Sequence, residues 1–166
     1  MDDMNTFFQQ QKVRDAVCES ALHLNAGDYG SFLQMCDQKK FEYSIINFSP
    51  EIKKMQCWMK QNYAGLAKVL DLLPKHNSDH ARLTRHVIPY CVTAKGDGAF
   101  EVVSQVAVYR TEWDAENSHL QSGATSLYVI GKYVDTVTLT DSRAQLTGRV
   151  VDLDTRQVGI GSHHIL

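Results

Sequence analysis

A chain of 166 residues, 43% hydrophobic and 22% charged, has the make-up of one soluble globular domain spanning residues 1–166, and its apolar runs fall far short of the roughly 20 residues a membrane span needs. Seventeen Lys and Arg against nineteen Asp and Glu give a formal net charge of −2, which argues against nucleic acid, because phosphate binding needs clustered cations. The opening Met1-Asp2-Asp3-Met4-Asn5 lacks the basic and apolar regions of a secretory leader, so a cytoplasmic location is expected.

In chain order, Phe7, Val13, Val17, Ala21 and Leu24 fall near one helical stripe that breaks at Asn25-Ala26-Gly27, after which Asp28 can cap a second, short helix. "FEYSIINF" (41–48) is rich in β-branched and aromatic residues and suits a strand. Ser49-Pro50-Glu51 then reads as an N-cap with proline in the first turn, predicting a helix over 50–73 with Ile52, Met55, Met59, Leu66, Val69 and Leu73 on its apolar face and Pro74 as its stop. Beyond His80 the period changes. Residues 81–94, 99–113, 123–139 and 144–155 read as four long strands with short, turn-rich connections, hence antiparallel neighbours. "TEWDAENSHLQSG" (111–123) is expected to be an exposed hairpin loop. Helices first and a curled, mostly antiparallel sheet afterwards is an α+β layout, with the sheet wrapping the helical layer.

The chemistry on offer is thin. Cys18, Cys36, Cys57 and Cys91 are widely spaced, with no C-x-x-C pair, and read as buried free thiols. G-x-S-x-G, P-loop, G-x-G-x-x-G and H-E-x-x-H are all absent. His76, Asp79, His80 and His86 fall within eleven residues, and in an extended segment His80, Arg82, Thr84, His86 and Ile88 share a face. Asp79 and His86 facing a closed cavity would form a general acid–base pair, as in a dehydratase or isomerase; the competing reading makes these residues polar groups at a sheet mouth or subunit contact. Asp152 and Asp154 share a strand face and read as solvated carboxylates, and His163-His164 as part of a packed tail.

Four segments carry a resemblance: "RLTRHVIPYCVTA" (82–94), "FEVVSQVAVYRTEWD" (100–114), "GKYVDTV" (131–137) and "LTGRVVDLD" (146–154). In this order and spacing they resemble the β, or small, subunit of Rieske-type ring-hydroxylating oxygenases. The final strand lacks the family's usual tryptophan and the chain closes on His-His-Ile-Leu, which places it nearer a divergent branch similar to the small subunit of methanesulfonate monooxygenase hydroxylase. The resemblance implies a cystatin-like, nuclear transport factor 2-like cone with helices packed on a curved sheet. It implies a non-catalytic scaffold for a large α subunit in an α3β3 hexamer, supplied with electrons by a ferredoxin or reductase. The Rieske iron-sulfur cluster and mononuclear non-haem iron would then lie in the α subunit, with no cofactor or metal in this chain. No cysteine here offers the C-x-H and C-x-x-H pairs of a Rieske centre. On this reading Arg82, Arg85, His86, Tyr109 and Arg110 lie at a subunit interface, the guanidinium forks meeting carboxylates of the partner. The substrate would be a small sulfonate or an aromatic acid. The valine-rich alternation of residues 102–109 further predicts that both faces of that strand are covered, one by the core and one by another subunit.

Overall fold

The computed structural model describes residues 2–76, 81–113, 123–140, 143–157 and 165–166. Helices α1 (Asp2–Ala26) and α2 (Tyr29–Gln34) come first, then the hairpin strands β1 (Glu42–Ser49) and β2 (Lys54–Asn62) and helix α3 (Tyr63–His76). Four strands follow: β3 (Arg82–Gly96), β4 (Ala99–Thr111), β5 (Thr125–Leu139) and β6 (Ala144–Leu153). They form one six-stranded sheet in the order β2-β1-β6-β5-β4-β3. Every neighbour pair is antiparallel except β1 and β6, which run parallel. The α+β class read from the sequence is therefore the observed one, with one strand more than expected before α3.

Helix α1 packs on β3, β4, β5 and β6. Its buried stripe is Val13, Ala16, Val17, Ser20, Ala21 and Leu24, spaced three and four apart as one helical face requires. Phe7, expected on that stripe, is instead 57% exposed. Gly27 ends the helix at φ +70°, with Gly27 N–H bonded to Leu24 O and Asp28 N–H to His23 O, which satisfies carbonyls that the helix end leaves orphaned. Asp28 caps α2 as expected, its Oδ1 accepting from Ser31 N–H at 3.0 Å. The β3–β4 hairpin turns on Asp97 (φ 49°) and Gly98 (φ 70°), the two positive-φ positions that a tight hairpin turn demands.

The expected helix over 50–73 is really two elements. Residues 50–53 form a turn, residues 54–62 pair antiparallel with β1, and helix starts only at Tyr63. Sheet pairing overrides the helical spacing of Ile52, Met55 and Met59, two of which are more than half exposed. The true cap is Asn62, whose Oδ1 accepts from Gly65 N–H at 2.9 Å. Pro74 does not stop the helix, which continues to His76. The cysteines also depart from expectation. Cys36 is buried and Cys18 partly so, but Cys57 and Cys91 are exposed because both lie on edge strands with their thiols outward.

Candidate functional site

Period-two alternation sorts the charged opening of β3 onto two faces. Leu83, Arg85 and Val87 point at the helices, while Arg82, His86 and Ile88 point away from them. Arg85 is 7% exposed. It donates through Nη2 to the main-chain oxygen of Ile165 and through Nη1 to Asn25 Oδ1 at 3.4 Å. Asn25 also grips the main chain of residue 85, accepting its N–H at 2.8 Å and donating to its carbonyl at 3.0 Å. Arg85 thus ties the end of α1 and the tail to β3.

Its neighbour His86 lies on the outer face, where its ring meets that of Tyr109 at 5.0 Å between centroids. Arg82 lies 6.0 Å from the Trp113 ring centroid, and Arg110 pairs with Glu112 at the strand end. The acid–base reading needed His86 inside a closed cavity, and its side chain faces the opposite way. Asp79, His80, His163 and His164, and the side chain of His76, lie outside the described residues, as does most of the 111–123 loop. Among the described residues no three His, Cys, Asp or Glu side chains gather as a metal would need. Asp152 pairs with Lys132 across the strands at 3.1 Å and is half-buried rather than freely solvated.

The inner face holds what sequence reasoning missed. Arg149 on β6 is fully buried and grips Asp135 on β5 with both ends of its fork, Nε to Oδ1 at 2.6 Å and Nη2 to Oδ2 at 3.1 Å. Nη2 also donates to Ser20 Oγ on α1 at 2.7 Å, and the guanidinium carbon sits 4.3 Å from the Tyr133 ring centroid. Burial alone would lower the Arg149 pKa, but the Asp135 charge and hydrogen bonds more than offset this and raise it. Burial also pushes up Asp135, Tyr43 and Tyr133, and lifts the Cys36 thiol to about 12, so the two tyrosines and this cysteine are neutral at pH 7. The signal for the pair was present: Asp135 and Arg149 are charges at inward positions of otherwise apolar alternating strands. Nearby, Gly131 is required by close approach, since a Cβ there would meet the Asp152 carbonyl at 2.3 Å.

The outer face is the chemical opposite. Phe48, Met55, Trp58, Ile88, Tyr90, Leu127 and Ile130 are all exposed there or on the adjoining edge strands. So many large apolar side chains on one side set it apart from an ordinary solvated sheet.

No family model matches the chain. It is 34% identical over 152 residues to the methanesulfonate monooxygenase hydroxylase subunit β of Methylosulfonomonas methylovora, covering 91% of this chain and 83% of the relative. The chain belongs to this family of oxygenase β subunits. A second member, the 2-aminobenzenesulfonate 2,3-dioxygenase subunit β of an Alcaligenes species, is 39% identical over 140 residues, covering 84% of this chain and 87% of its own. Among solved structures, a β subunit assigned to an aromatic-ring-hydroxylating dioxygenase of Novosphingobium aromaticivorans superposes with a TM-score of 0.76 at 18% identity, covering 93% and 94% of the two chains. A protein of the same organism described as nuclear transport factor 2-like with a cystatin-like fold gives 0.60 at 12% identity over 94% and 88%. The β-subunit family and the cystatin-like cone expected from the sequence are therefore both found. No described helix is long and apolar enough to cross a membrane.

Proposed function

We propose that this chain is the non-catalytic, structural β subunit of a cytoplasmic Rieske non-haem iron oxygenase, and that its outer sheet face is the assembly surface. The single observation that carries this reading is the contrast between the faces: inside, the Asp135–Arg149 charges are consumed in a mutual pair; outside, aromatic and aliphatic side chains stand exposed. Arg82, His86 and Tyr109 lie on that outer face and are the proposed polar contacts, whereas Arg110, opposite Leu83 in the strand register, falls on the inner side at the strand end, where it pairs with Glu112. Arg85 supports them from behind by fixing the strand to α1 and the tail.

The catalytic metal centres are assigned to the large α subunit. The test of fit is the donor set: Cys18, Cys36, Cys57 and Cys91 are followed by Glu-Ser, Asp-Gln, Trp-Met and Val-Thr, so none supplies the C-x-H or C-x-x-H geometry of a Rieske cluster. This chain's contribution is to hold α subunits in register, in an α3β3 hexamer fed by a ferredoxin or reductase. The sulfonates in the names of both relatives favour a small sulfonate substrate over an aromatic carboxylic acid.

Co-expression with the large subunit tests the reading. The complex should sediment as a hexamer with all iron in the large chain, and turnover should fall in step with assembly in outer-face variants. Turnover lost from a fully assembled His86→Ala complex would overturn it.

A further inference from the structure

We draw no further inference here: the strongest candidate, the apolar patch on the outer sheet face formed by Phe48, Met55 and Trp58 of the β1–β2 hairpin with Ile88 on β3 and Leu127 on β5, belongs to the assembly surface already described, and nothing in the structure shows which partner covers it.

Discussion

The two faces of this sheet are written in the same strands, yet they answer to different physics. On the inner face of β5 and β6, Asp135 and Arg149 are charged residues serving the fold; on the outer face of β3 and β5, Ile88, Leu127 and Ile130 are apolar residues left in water. Polarity read alone would assign them the other way round. What decides the matter is pairing: a buried charge held by an opposite charge serves the fold, and a large apolar side chain with nothing packed on it is suited to another surface.

The largest effect should come from breaking the inner pair. Asp135→Asn or Arg149→Met leaves one uncompensated buried charge or a set of stranded donors, and should cost about 3–5 kcal/mol of stability. Denaturant unfolding reads this directly. Replacing both residues with apolar ones should recover much of the loss, and a double variant as unstable as the sum of the singles would show that the pair does more than neutralise itself.

Adjacent residues on β3 give the sharpest contrast. Arg85→Ala should destabilise the isolated chain by about 1–3 kcal/mol, because Ile165 O and Asn25 lose a charged donor in the interior. His86→Ala should leave stability within about 0.5 kcal/mol, as for other exposed positions. For assembly the order reverses. Ile88→Glu or Leu127→Glu should barely move the unfolding midpoint while weakening association with partner subunits by more than about tenfold, measured by sedimentation. Equal loss of stability from Arg85→Ala and His86→Ala would erase the distinction between the faces.

How far these faces were legible in the sequence depends on the local signal. The four strands after residue 80 were readable because their alternation is long and their turns are explicit; Asp97-Gly98 alone fixes one hairpin. The β1–β2 hairpin was not, because Ile52, Met55 and Met59 imitate a helical stripe, and only the neighbouring strand decides that 54–62 is extended. At the site, Arg82, Arg85 and His86 were grouped at one interface, whereas alternation sends Arg85 inward and His86 outward. Asp135 and Arg149 were quoted as family motifs without a role, since their burial depends on which strand face meets α1. The same ambiguity predicts a modest effect: Asn62→Ala removes the cap that starts α3 and should cost about 1 kcal/mol, whereas a cap at Ser49, as the sequence suggested, would make Asn62→Ala silent.

A second ion pair, at the exposed turn between β1 and β2, offers the smallest test and the cleanest control for the inner one. Arg156 bonds the Glu51 carboxylate, and the Glu51 main-chain N–H and the Ser49 hydroxyl add to it, holding the Glu51 pKa down from its ordinary 4.5 to about 2. A carboxyl depressed in the folded state contributes stability above its unfolded pKa, and that contribution is lost as pH falls from about 4.5 toward 2. Both partners are largely exposed, so the effect should be small and should shrink further at high salt. Proton titration of Glu51 by NMR should show its midpoint returning toward 4.5 in Arg156→Met, with little change in the unfolding temperature at pH 7. The buried pair should behave otherwise: Asp135 and Arg149 are shielded from added salt, so their removal should cost as much at high ionic strength as at low. An unfolding loss in Arg156→Met that rivals Asp135→Asn would mean that exposure does not discount an ion pair in this fold, and the contrast drawn between inner and outer charges would fail.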